Sequence, residues 1–193
     1  MHLEEARRII DEQKDKHTYE AMINTASVIT KLLEADKIKP IIVGGLSVEI
    51  YTENDYTTRD IDFVSDGHAK IANTLMSLGF RKEGTKDFVH DEIEVSVEIP
   101  SSFLHGSYEK VVKMNVTDSL YVYVISIEDI LLDRLRAATA WKSKEDSKWG
   151  FELLARNRDE LDVDYLYENL EAPIEKEELD LWFSIVDDDK QLV

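Results

Sequence analysis

Apolar residues recur at three- and four-residue steps over residues 18–36. There Tyr19, Met22, Ile23, Ala26, Ile29, Leu32 and Leu33 mark one face of an amphipathic helix. Residues 3–16 are helical in composition but mostly charged, and are expected to extend that helix or to fray. Pro40 opens an apolar run, Ile41-Ile42-Val43, with the pattern of a buried strand that Gly44-Gly45 ends. Leu46 to Glu53 then reads as a short helix, Thr57 to Val64 as a second strand, and Asp66 to Leu78 as a helix stopped by Gly79. Phe80 to Lys82 and Lys86 to His90 are short strand candidates. Ile93 to Ile99 alternates strictly, with Ile93, Val95, Val97 and Ile99 on one face and Glu94, Ser96 and Glu98 on the other. Pro100 is expected to end it, and Leu120 to Ile125 is a further β-rich run.

Beyond residue 125 the period becomes helical. Ser126-Ile127-Glu128-Asp129 has the form of a capping box, and Ile130, Leu131, Leu135 and Ala138 follow on one face. Phe151, Leu153, Leu154, Leu161, Tyr165 and Leu166 suggest more helix. Pro173 starts a last one carrying Leu179, Trp182, Phe183 and Val186. The order predicts an α+β chain: a small mixed sheet flanked by helices over residues 18–125, and a helical C-terminal region over 126–193 packed on it.

Composition narrows the function classes. The 193 residues are enough to bury a core without staples, and with no cysteine there is no disulfide framework, thiolate metal site or cysteine nucleophile. No apolar run approaches a membrane span and the first residues are charged, so the expectation is a cytoplasmic protein with no membrane partner. With 23 basic and 41 acidic residues the formal charge is −18, which opposes duplex DNA as a partner. Residues 152–193 hold 14 acids against four bases, a net of −10 that reads as a solvated helical face or as a surface for a basic partner.

One segment carries chemistry. An apolar strand runs into Gly44-Gly45, a hydroxyl follows at Ser47, and Asp60 and Asp62 come next, spaced i, i+2. Glycines permit close backbone approach and positive φ, and a helix start beside them suits a phosphate. On a strand, Asp60 and Asp62 share a face while Ile61 and Phe63 point to the core. Two adjacent carboxylates repel, and a divalent cation with a taste for hard oxygen ligands, Mg²⁺ or Mn²⁺, removes that cost. The plainer alternative is a simple strand-to-helix turn beside a solvated strand face. Two acids inside an otherwise apolar strand argue against it.

Val43-Gly44-Gly45-Leu46-Ser47 followed by Thr58-Arg59-Asp60-Ile61-Asp62 resembles the DNA polymerase beta-like nucleotidyltransferase superfamily, in particular its small stand-alone bacterial members, some of them toxin-type. Ser126-Ile127-Glu128-Asp129-Ile130 with the helix after it resembles their C-terminal region. The resemblance implies a nucleotidyltransferase fold. It also implies metal-dependent transfer of a nucleoside monophosphate from an NTP to an acceptor hydroxyl on an RNA end, a small molecule such as an aminoglycoside, or a protein. Gly44, Gly45 and Ser47 would hold phosphates, and Asp60 and Asp62 would hold the metal. The third carboxylate of that pattern lies on a neighbouring strand, where Glu98 is preferred and Glu94 is the alternative. The rival reading is a catalytically inactive member acting as an interaction protein, in a toxin–antitoxin or phage-defence pair. Arg134, Arg136, Lys142, Lys144 and Lys148 form the most basic stretch, read as a solvated helix face or as counter-charge for a triphosphate or RNA end. Trp141 and Trp149 beside it could pack or stack on a base. The five histidines show no metal spacing.

Overall fold

The computed structural model describes residues 1–190. Among them lie eight α-helices and a mixed sheet of seven strands. Helices α1 (Leu3–Asp11) and α2 (Thr18–Leu33) are followed by β1 (Ile41–Val43), α3 (Gly44–Tyr51), β2 (Asp60–Val64) and α4 (His68–Ser77). Strands β3 (Arg81–Lys82), β4 (Asp87–His90), β5 (Val95–Ser101), β6 (Val112–Asn115) and β7 (Tyr121–Val124) complete the sheet. Helices α5 (Ile127–Trp141), α6 (Lys144–Asn157), α7 (Val163–Glu168) and α8 (Pro173–Lys190) form the C-terminal part. The helical region expected over 126–193 is thus described to residue 190, and residues 191–193 lie outside the described chain.

The sheet order is β3-β4-β5-β2-β1-β7-β6. Strands β1 and β7 are parallel, as are β2 and β5, whereas β1 and β2 are antiparallel. Alternation sorts the two faces. Ile42, Ile61, Phe63, Val97 and Val122 are fully buried on the face that α2 covers, and side chains of this size contribute about 1.5–3 kcal/mol each when buried. The other face carries Val43, Asp62 and Glu98, matched across β1, β2 and β5 by register. The buried side chains form two clusters. One fills the sheet and α1–α4, and the other joins α5 to α8.

Two expectations are corrected, and one strand is new. Residues 3–16 do not prolong α2. Ala6 and Ile10, one turn apart, pack α1 against it, and the chain reverses through 12–17 before His17 adopts an extended conformation ahead of α2. The alternating strand begins at Val95 rather than Ile93 and runs through Pro100 to Ser101, where its register against β2 shifts after Asp62. A proline fits at such an irregularity because no ladder N–H is required of it. Strand β6, at the sheet edge, drew no expectation: Val112-Lys113-Met114-Asn115 is too short and mixed to show a period.

Candidate active site

The candidate face is built by a tight turn between β1 and α3. Gly44 sits at φ +62°, in the left-handed region, and a Cβ there would collide with the Asp62 carboxylate. Gly45 is equally crowded: a Cβ would lie 2.9 Å from Thr58 Oγ1 and 3.1 Å from the Tyr56 ring. The two glycines therefore let the strand-to-helix turn close over the start of β2. Val43 occupies the N-cap of α3 and offers no side-chain acceptor, so no side chain caps the amides of the first turn.

Asp60 and Asp62 occupy one face of β2, as their spacing requires, while Ile61 and Phe63 are fully buried on the other. Asp60 is exposed and accepts a hydrogen bond from the Ser96 hydroxyl of β5. Asp62 is half-buried. Burial and the charges of Glu98 and Asp60 push its pKa up to about 6, against the pull of the Gly45 amide and the Arg134 guanidinium. Glu98 lies directly across from Asp62 in the parallel register of β2 and β5. Glu94 instead falls in the turn before β5, at φ +53°, and is exposed. The register thus brings Glu98, and not Glu94, beside the aspartates.

Ser47 does not face this cleft. It is fully buried in α3 and donates its hydroxyl to the Gly44 carbonyl at 2.7 Å, so it fixes the turn instead of presenting a free hydroxyl to a phosphate. The basic stretch is also largely committed. Arg134 bonds to Asp146 and Asp133, and Arg136 to the Asn169 carbonyl and Glu171. Trp149 packs edge-on against Tyr56 at 4.9 Å between ring centres, whereas Trp141 is 82% exposed.

Other participants carried weaker sequence signals. Thr58 receives the Asp60 amide at 3.4 Å, and its own N–H bonds to the carboxylate of Glu49, a buried acid of α3 whose pKa is raised by burial. A hydroxyl two residues before an Asp-x-Asp strand is a readable sign. A lone glutamate in an apolar helix is readable only as a buried acid needing a partner. A cavity of about 330 Å³ adjoins Asp62 and Gly44, walled on its far side by Ile130 and Asp133 of α5 and by Phe103.

No group of three His, Cys, Asp or Glu side chains among the described residues forms a preformed metal site. The donor set nevertheless suits a divalent cation. Its members are hard carboxylate oxygens on one face, and their mutual repulsion already lifts the Asp62 pKa.

Residues 20–182 match a family described as "Nucleotidyltransferase of unknown function (DUF6036)". The chain belongs to this nucleotidyltransferase family. No curated protein matches it. Among solved structures, it is similar to an antigenic nucleotidyltransferase-like protein from Paracoccidioides brasiliensis, at 16% identity and a TM-score of 0.54 over 72% of this chain and 75% of that one. It is also similar to the antibiotic-resistance factor ANT(2'')-Ia, at 12% identity and a TM-score of 0.50 over 86% and 94%. These likenesses establish the nucleotidyltransferase fold that the glycine turn and the paired aspartates led us to expect. Among the described residues no helix is long and apolar enough to cross a membrane.

Proposed function

We propose that this nucleotidyltransferase moves a nucleoside monophosphate from an NTP to an acceptor hydroxyl, at the face where β1, β2 and β5 meet. The observation that carries this is the packing of the Asp62 carboxylate against Gly44, with Glu98 beside it in register. The triphosphate binds at the uncapped start of α3, where first-turn amides and the helix dipole favour anions and the two glycines let oxygen atoms approach the backbone. Asp60, Asp62 and Glu98 would hold Mg²⁺ or Mn²⁺. When bound, such ions would lower the pKa of an attacking hydroxyl and neutralise charge on the departing pyrophosphate.

In the transfer the acceptor oxygen forms a bond to the α-phosphorus, and the bond from that phosphorus to the β-bridging oxygen breaks. The acceptor proton leaves and pyrophosphate departs. Glu98, across from Asp62 in register, would take the proton, directly or through water. Asp60 is oriented by Ser96, and Asp62 by the Gly45 amide. Ser47 holds the turn through Gly44. Glu49 and Thr58 fix the approach to β2. The charge of Arg134 offsets part of the acidic charge at Asp62.

The presence of a glutamate at the third position favours this reading over an inactive interaction protein. The deciding experiment is incubation of the full chain with radiolabelled NTPs, Mg²⁺ and a cell lysate. The expected result is one class of labelled molecule, with label lost in the Asp62→Asn variant. Absence of label with every NTP, together with no Mg²⁺-dependent NTP binding, would overturn it.

A further inference from the structure

The cavity beside Asp62 does not end there. A second one, of about 410 Å³, lies on the same sheet face and shares two wall residues with it, Val64 and Phe103. The pair forms one trough along the face. It starts at Asp62 and Gly44, passes Val64, and ends between Tyr123 of β7 and the segment Lys37–Lys39 that precedes β1. Register sets its length. Tyr123 lies opposite Ile41, two residues from Val43, and Val43 lies opposite Asp62. The far end is therefore about 7 Å further along the strands than the carboxylates, a distance that one nucleotide residue spans.

The roof is the loop between β5 and β6, and it is tied down. The Ser107 N–H donates to the buried Asp129 carboxylate at 2.9 Å, and the Leu104 N–H donates to the Tyr108 hydroxyl at 2.9 Å. Ser101 Oγ holds the backbone of Phe103, whose ring is nonetheless 78% exposed at the junction of the two cavities. Tyr108 and Tyr123 line the outer part. Aromatic rings are thus presented to the trough by anchored backbone.

Its far end is cationic in a protein of charge −18. Neither Lys37 nor Lys39 makes an ion pair among the described residues. Lys39 instead lies over the Tyr123 ring, 5.5 Å from its centre. On the adjoining edge strand Lys113 covers Tyr121 at 3.6 Å. Asp66 lines the same cavity, but two lysines face it. By contrast Arg134 and Arg136, on the other side of the site, are spent on carboxylates and a carbonyl.

We propose that this trough seats the acceptor, and that the acceptor is a nucleotide: a hydroxyl at Asp62 and Glu98, a base against Phe103, Tyr108 or Tyr123, and a phosphate at Lys37 and Lys39. This rests on the transferase reading above. Stacking and lysine–phosphate contacts are the chemistry by which single strands and free nucleotides are held, and neither suits a polycationic acceptor.

The test uses the full chain and three probes: Mg²⁺–NTP, a short fluorescent single-stranded RNA with a free 3′ hydroxyl, and a free 5′-mononucleotide as competitor. Lys37→Glu/Lys39→Glu, at exposed positions, should weaken RNA binding at least tenfold and flatten its salt dependence while leaving Mg²⁺–NTP binding unchanged. Asp62→Asn should abolish Mg²⁺–NTP binding while the RNA binding that remains keeps its dependence on the lysines and on salt. Competition by the mononucleotide points to a free nucleotide as acceptor, and its failure to compete points to a nucleic-acid end. Equal RNA binding by wild type and the double variant overturns the assignment, as does binding of neither RNA nor mononucleotide. Lysine-dependent RNA binding without any Mg²⁺–NTP binding would sink the transferase reading alone.

Discussion

Asp62 bears a cost that its fold position imposes. Its carboxyl is half-buried, presses on Gly44, and faces the charges of Glu98 and Asp60, so its pKa rises to about 6 from an unfolded value near 3.9. A carboxyl whose pKa is raised on folding favours the folded state while protonated. That contribution is present below about pH 4 and lost as pH climbs through 6. At pH 8 the ionised group therefore destabilises the protein, by up to about 3 kcal/mol before solvent screening is discounted. Thermal melts of Asp62→Asn should show a higher Tm than wild type at pH 8, with the gap shrinking as pH falls below 6 and gone near pH 4, and the variant should be inactive. Addition of Mg²⁺ at pH 8 should raise the wild-type Tm and leave the variant's unmoved. A variant that melts lower than wild type at pH 8 would show that the Gly45 amide and Arg134 outweigh the repulsion. At Gly44 the prediction is steric: Ala must take φ +62° and meet the Asp62 carboxylate, so Gly44→Ala should lose activity and lower the Tm by several degrees.

Strand register decides which acid joins the aspartates. Glu94 and Glu98 are equivalent in an alternating pattern, and the strand's start at Val95 removes one of them. Glu98→Gln should cut kcat by roughly a hundredfold with little change in NTP affinity, as expected for a group acting on the proton or on the nucleophile side. Glu94→Gln should be silent, and steady-state kinetics with the acceptor that the labelling experiment identifies would show the difference. On α5 the arginines belong to the helical part. Arg136 satisfies the Asn169 carbonyl at the end of α7 and pairs with Glu171, so Arg136→Ala should lower stability by about 1 kcal/mol without altering the salt dependence of RNA binding.

At the scale of the molecule, Asp129 is a buried junction between its parts. Ser126 caps α5 as its sequence pattern suggests, accepting the Asp129 N–H at 3.1 Å. The carboxylate of Asp129 does not return the favour to the Ser126 backbone. It accepts the Ser126 hydroxyl, the Ser107 N–H of the trough roof and the Tyr165 hydroxyl of α7, and so ties sheet, loop and helical cluster at one buried point. Asp129→Ala leaves those donors unmatched and should cost about 2–4 kcal/mol, read from urea denaturation. Tyr165→Phe, which removes one of the three bonds, should cost about 1 kcal/mol. At this scale charge also matters. A −18 surface makes long duplex DNA a poor ligand, and gel-shift experiments at physiological salt should show no binding to it.

Properties with a short-range cause were legible in the sequence. Two-residue alternation put Ile61 and Phe63 inside and Asp60 and Asp62 together. The three- and four-residue steps of Met22, Ala26, Ile29 and Leu33 defined the helix that backs the sheet. The glycine pair marked the turn that no other residue could make over Asp62. Tertiary structure decided whatever depends on which segments meet. It chose Glu98 over Glu94, because pairing register is set by packing of the whole strand and a shift exchanges its faces. It folded α1 back on α2, because Ala6 and Ile10 bury against the core while the charged side chains of α1 stay in solvent. It brought Asp146 to Arg134 and Glu171 to Arg136, because a charged group takes the partner the fold brings nearest. And it joined Lys37, Phe103 and Tyr123 around one trough, a juxtaposition with no trace in local pattern, since three segments far apart along the chain become neighbours only when β7 pairs with β1.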